Sequence, residues 1–110
     1  MSIDVRVVDG VYGRPADGVS VDIVREFDGA PVQRWRGRTD ADGRLAALPD
    51  TMQERGSYTI AFDIGDYFGT LGHATHVSMF SLRMHVAGPL PSHRASLLIT
   101  PSSCVAFTEG

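Results

Sequence analysis

The sequence predicts an all-β sandwich, and three observations carry that prediction. Apolar and polar residues alternate with a period of two through seven or eight short segments. Glycine, proline and aspartate punctuate the chain between those segments. Only Gly65–Gly72 leaves room for a helix, and it is short and bounded by glycines. Short strands with turns at such regular intervals are the pattern of an antiparallel two-sheet sandwich.

Ile3–Asp9 alternates, which puts Asp4, Arg6 and Val8 on one face of a first strand. Gly10–Gly18 is rich in glycine, proline and aspartate and is expected to be a connection. Val19–Arg25 alternates again, and Asp28-Gly29 followed by Pro31 supplies a hairpin turn into Val32–Arg36. In Thr39-Asp40-Ala41-Asp42-Gly43-Arg44, aspartates able to bond their own backbone precede a glycine free to take positive φ. Arg44 emerges directly from that turn. A polar stretch over Pro49–Gly56 leads into the alternating strand Ser57–Asp63. From His76 to Val86, alternation separates Ser78, Phe80, Leu82, Met84 and Val86, expected on the core face, from the residues between them. The last two strands, Arg94–Ile99 and Cys104–Phe107, meet at Pro101, which has no N–H to donate and belongs at a strand end. Leu97 and Ile99 are expected in the core, with Arg94, Ser96 and Leu98 on the opposite face. Val105 and Phe107 share a face of the final strand.

The chain has 110 residues, which predicts one domain over 1–110 with one core. Thirteen acidic residues against ten basic ones give a net charge of −3, so no cationic footprint for nucleic acid or an anionic membrane is expected. All the basic residues are arginine. The single Cys104 excludes an intrachain disulfide and reads as a small buried residue, and four scattered histidines lack the spacing of a metal site. Neither a metal nor a cofactor is expected. No apolar run approaches ~20 residues and the N-terminus lacks a signal-type core, which predicts a cytoplasmic protein.

Four segments together resemble the transthyretin-like family, most nearly its bacterial 5-hydroxyisourate hydrolases. They are Gly13-Arg14-Pro15-Ala16-Asp17-Gly18-Val19, Thr39–Arg44, Gly65-Asp66-Tyr67-Phe68 and Leu97-Leu98-Ile99-Thr100-Pro101, in the family's order and spacing. The resemblance implies a transthyretin-like sandwich of two four-stranded antiparallel sheets with one short helix. It also implies a homotetramer, built as a dimer of dimers, with a channel at the dimer–dimer interface.

The departures from the family pattern fall on its catalytic positions. Family hydrolases carry a histidine in the first strand, an arginine after the Asp-Gly turn, a histidine before the Leu-Leu-Leu-Ser-Pro run, and a C-terminal Tyr-Arg-Gly-Ser. Here these read Arg6, Arg44, Arg94 and Phe107-Thr108-Glu109-Gly110, so only the Arg44 position is kept. A guanidinium with a pKa above ~12 cannot act as a general base near neutral pH, so ordinary hydroxyisourate hydrolysis is expected to be lost. His93 lies one residue from the family histidine, and a one-residue offset in a strand sends it to the other face.

Three arginines sent to one channel repel one another unless an anion lies among them. One reading is an anion-recognising pocket, because arginine binds carboxylate or phosphate through paired donors and stabilises developing oxyanions. The other is a salt-bridge network in which Asp4, Asp9 or Glu109 neutralises the arginines and holds subunits together. Glu109 is either an acid or base bordering the channel or part of a frayed terminus. Phe107 either adds apolar wall for a substrate or packs at a subunit interface.

The reading that follows is a divergent enzyme acting on a small organic anion or a keto or enol substrate, by cyclisation, ring opening or isomerisation in specialised biosynthesis. Arg6, Arg44, Arg94, Glu109 and Asp4 are the expected catalytic residues. Val8, Ser96, Leu98, Val105, Phe107 and Thr108 are the expected substrate wall. A non-catalytic small-molecule binder and a hydroxyisourate hydrolase with a rearranged site are the alternatives.

Overall fold

The structure, a computed structural model, describes residues 3–45, 54–87 and 93–109, with only the backbone described at Glu109. The expected acid or base at the Glu109 side chain, the terminal Gly110 and the first part of the polar stretch at 49–56 lie outside the described residues.

Eight strands and one helix follow in order: β1 (Ile3–Asp9), β2 (Arg14–Pro15), β3 (Ser20–Phe27), β4 (Ala30–Arg38), β5 (Gly56–Asp63), α1 (Ile64–Thr70), β6 (Met79–Val86), β7 (His93–Ile99) and β8 (Cys104–Glu109). They form two four-stranded sheets, ordered β2-β1-β7-β8 and β4-β3-β5-β6. The strands expected from alternation are present. The turn-rich connection after Gly10 contains one more, the two-residue β2, paired to Val8 and Asp9. The expected strand from His76 begins at Met79, because the preceding backbone is drawn off by bonds from the His76 and Val77 amides to the Pro101 carbonyl.

The pairing of β1 with β7 departs from a uniformly antiparallel arrangement: these two strands run parallel, Ile3 beside His93 through Asp9 beside Ile99. A parallel pair needs a long crossover, and here everything from β2 to β6 intervenes, so the chain lays down the second sheet before returning to the first.

The core lies between the sheets. Val5, Val7, Leu97 and Ile99 come from one side, and Val21, Ile23, Tyr58, Ile60 and Phe62 from the other, all at most 3% exposed. Because the strands alternate, every residue between these core positions is sent to an outer face. Truncating Leu97 to alanine would leave a cavity in this layer and cost about 2–5 kcal/mol.

Local chemistry fixes the turns. Asp28 and Gly29 both have positive φ, 53° and 79°, as a two-residue hairpin with the strands' own twist requires. After β7 the Thr100 amide donates to the Ser103 carbonyl at 2.9 Å, closing a tight turn around Pro101. The Asp63 carboxylate caps α1 by accepting from the Asp66 amide at 2.9 Å. The helix buries Ile64, Tyr67 and Phe68 against the sandwich. No helix among the described residues is long and apolar enough to cross a membrane.

Candidate functional site

The outer face of the β2-β1-β7-β8 sheet carries the candidate site. Antiparallel and parallel partners standing directly opposite share a face, so the registers can be read as rows across the sheet. One row runs Asp4, Arg94, Glu109. The next runs Arg6, Ser96, Phe107, and Arg44 extends it through an antiparallel bridge to Arg6. A third runs Val8, Leu98, Val105. Successive rows lie ~6.7 Å apart along the strands, so a cationic end and an apolar end share one continuous wall.

The turn before Arg44 sets its position. The Asp40 carboxylate accepts from the amides of Asp42 at 2.9 Å and Arg44 at 3.0 Å. Gly43, at φ 74°, turns its carbonyl to the Val7 amide at 2.8 Å. A Cβ on Gly43 would stand 2.3 Å from the Val7 carbonyl oxygen, so only glycine allows this approach. The bond to Val7 holds the following residue beside Arg6.

Little neutralises the three guanidiniums. Arg94 Nε stands 3.7 Å from Asp4 Oδ2, and both side chains are substantially solvated. Among the described residues no carboxylate comes within ion-pair distance of Arg6 or Arg44. Two like charges ~6 Å apart repel by about 0.7 kcal/mol in bulk water and by about 3 kcal/mol where water is partly displaced. An open face tolerates the cluster; a covered one calls for an anion. Beside it Leu98, Val105 and Phe107 are 42%, 45% and 64% exposed.

Two expectations need correction. Thr108 pairs with Ala95, so strand alternation puts it on the face opposite Phe107 and off the wall, where it is exposed at the strand end. Asp9 cannot neutralise the arginines. It lies fully buried on the inner face, where Oδ2 accepts from the Tyr67 hydroxyl at 2.6 Å and Oδ1 from the amides of Val11 and Tyr12. In the loop after α1, His73 Nε2 is 2.7 Å from the Tyr12 hydroxyl, and its ring meets Phe68 edge-on.

The remaining residues of interest lie off the wall. His93 is buried on the inner face, opposite in direction to Arg94, and its Nε2 has no hydrogen-bond partner among the described residues. Cys104 is half-buried against the core, and burial pushes its thiol pKa up, away from a reactive thiolate. Tyr67 is pushed up to about 12 by burial and by its bond to Asp9, and so stays a neutral donor. Sequence reasoning missed the arginines at alternate positions of β4, Arg34, Arg36 and Arg38. The signal was their spacing of two within a strand already identified.

The described fold has counterparts among known proteins. Residues 3–108 match the model of the HIUase/Transthyretin family. The chain is 29% identical to a 5-hydroxyisourate hydrolase of Salmonella typhimurium over 99 residues, 89% of this chain and 73% of that one. Transthyretin of Sparus aurata superposes with a TM-score of 0.86 at 24% identity, covering 97% of this chain and 95% of that one. The 5-hydroxyisourate hydrolase of Klebsiella pneumoniae does so with 0.80 at 20% identity, covering 98% of each. At such identities the two structures speak for the fold alone. The family match runs from the first strand into the last, and the chain belongs to the HIUase/transthyretin family.

Proposed function

We propose that the outer face of the β2-β1-β7-β8 sheet is one wall of a channel between copies of the chain, where a small organic anion or a keto or enol substrate is turned over. The observation that carries this reading is the row Arg44, Arg6, Ser96, Phe107, with Arg94 in the next row. It sets Arg6 and Arg44, with no carboxylate in ion-pair distance among the described residues, and Arg94, held only by the long contact to Asp4, beside an exposed apolar surface. Exposed Leu98, Val105 and Phe107 favour self-association, in keeping with the expected dimer of dimers. A cytoplasmic location belongs to the same reading.

The chemistry follows from the groups present. Arg6 and Arg44 supply paired donors for a carboxylate or for the oxyanion of an enolate. Asp4 reaches Arg94 and is free to take a proton from a carbon next to a carbonyl; the electron pair moves to the carbonyl oxygen, and the proton returns at another atom. That sequence describes an isomerisation, and the same groups serve a ring opening or cyclisation. Glu109 stands opposite Arg94 as the alternative proton carrier.

A second reading has its own support, since the Salmonella typhimurium relative is itself named a 5-hydroxyisourate hydrolase. It requires a base other than histidine on this wall, because His93 points into the core. Non-catalytic binding of a small molecule, as in the sea bream transthyretin solved in complex with thyroxine, needs no base at all. Following the absorbance decay of freshly generated 5-hydroxyisourate separates the hydrolase from the others. The expected result is no acceleration over the uncatalysed decay, and turnover abolished by Arg44→Ala would overturn the proposal. Calorimetric titration with a panel of cyclic keto acids and aromatic carboxylates, scanned in parallel for chemical change, then distinguishes enzyme from binder.

A further inference from the structure

Among the described residues β4 is an edge strand of the second sheet, on the far side of the sandwich from the arginine wall. Its nine residues contain no acidic side chain, in a chain whose net charge is −3. Arg34, Arg36 and Arg38 occupy every second position, so all three project from one outer face at intervals of ~6.8 Å. Their side chains are 56%, 69% and 64% exposed.

The three are not equally engaged. Arg34 is well paired, with Nη2 at 2.6 Å and Nε at 3.1 Å from the Asp22 oxygens, and that bonding holds the Asp22 carboxyl below the usual carboxylate range. Arg36 reaches Asp22 only at 3.8 Å, and Arg38 reaches Asp66 only at 3.9 Å, with a further bond to the Gly18 carbonyl. Contacts this long between solvated groups contribute little, and the two guanidiniums remain open to a better partner.

An unpaired strand edge offers backbone donors and acceptors to any extended segment, and charge decides which segments are admitted. A second copy of β4 laid along this edge would set arginine against arginine. That arrangement is repelled, so self-pairing here is disfavoured by the same side chains that attract the opposite sign. An extended strand with a carboxylate at alternate positions repeats at the same ~6.8 Å and meets the ladder position for position. We infer that the β4 edge is a docking site for an extended acidic peptide segment of another protein, which adds to the sheet as a fifth strand with its carboxylates on Arg36 and Arg38, while Arg34 stays with Asp22.

Trp35 lies within the ladder and is the only tryptophan, so its emission reports on this edge. The test is a titration of the full chain with a ten-residue peptide alternating glutamate and threonine, read by Trp35 fluorescence and by hydrogen exchange of the β4 amides. Three comparison ligands are needed: a peptide of equal composition with its glutamates in one block, an alternating lysine and threonine peptide, and a single-stranded oligonucleotide. The expected result is binding of the alternating acidic peptide about tenfold tighter than of the block peptide, slowed exchange along β4, and no binding of the lysine peptide. Arg36→Glu with Arg38→Glu should weaken it by more than tenfold, and the milder pair Arg36→Gln and Arg38→Gln, which keeps length and polarity, by about tenfold. Equal affinity for the block peptide, unchanged affinity in the glutamine pair, or tighter binding of the oligonucleotide would overturn the inference.

Discussion

Arg6 and Arg44 stand opposite each other across an antiparallel bridge, two like charges brought together beside the backbone bond from the Val7 amide to the Gly43 carbonyl. Residues in such a pair normally repel. The arrangement persists because the Asp40–Gly43 turn specifies it independently of the charges, through the Asp40 carboxylate and the positive φ of Gly43.

Gly43→Ala should therefore act on both stability and the site. The added methyl meets the Val7 carbonyl oxygen in a backbone conformation alanine resists. The expected cost is about 1–3 kcal/mol, visible as a lower melting temperature. Anion affinity should fall in parallel, as in Arg44→Ala, because the turn can no longer present the guanidinium.

Arg6→Ala and Arg44→Ala should move stability and binding in opposite directions. Removing one of two facing cations relieves repulsion, so each unliganded variant is expected to melt slightly above the parent. Affinity for an anion held by the cluster should drop by about 1.5–3 kcal/mol, the range for hydrogen bonds to charged groups. If instead both variants melt lower and bind as before, the two side chains serve structure and the anion site is wrong.

Among the described residues Phe107 is the most exposed of the large apolar side chains, and it lies on the same row as Arg6. Light scattering of the parent protein should give four subunits. Phe107→Asp, which sets a charge in the apolar wall, should give smaller species with an unchanged circular dichroism spectrum. A parent protein that stays monomeric at micromolar concentration removes the shared channel from consideration.

Alkaline pH should weaken the fold over a defined window. Burial raises Tyr58 to about 12; burial followed by the bond to Asp9 raises Tyr67 to about 12. The unfolded chain releases the same protons near ~10, so the folded state binds more protons between these values. Stability is therefore fully present below about pH 10 and is lost as pH rises toward about 12. Tyr67→Phe should flatten that loss. At neutral pH it should cost about 1–3 kcal/mol, because a buried Asp9 oxygen loses its donor. Denaturant titrations at pH 7, 10 and 11.5 measure both effects.

Alternation makes most of this fold legible in the sequence. It separates Arg94 from His93, Leu98 from Leu97, and Arg6 from Val5, because a period of two fixes facing regardless of which strand lies alongside. Pairing partners are not legible in the same way. Nothing local in Ile3–Asp9 announces a parallel neighbour at the far end of the chain, and a two-residue strand such as β2 is too short to show a period. The burial of Asp9 is hidden for a related reason: its partner Tyr67 lies 58 residues away, on a helix whose docking the sequence does not describe. The placement of Thr108 off the wall, by contrast, is implicit in the period itself, since its neighbour Phe107 already occupies the outer face.

The parallel pairing of β1 with β7 also carries a kinetic consequence. Partners such as Arg6 and Ser96 are separated by nearly the whole chain, and loop closure on that scale must be overcome before the contacts reward it. On a ribosome β1 emerges long before β7 exists, so its N–H and C=O groups wait without their final partner while the other sheet is already able to form. The candidate site has elements from both ends of that separation, and it comes into being only in the closing event of folding. Substitutions in the β1–β7 seam should thus slow the gain of ligand binding after dilution from denaturant far more than they slow the burial of Trp35.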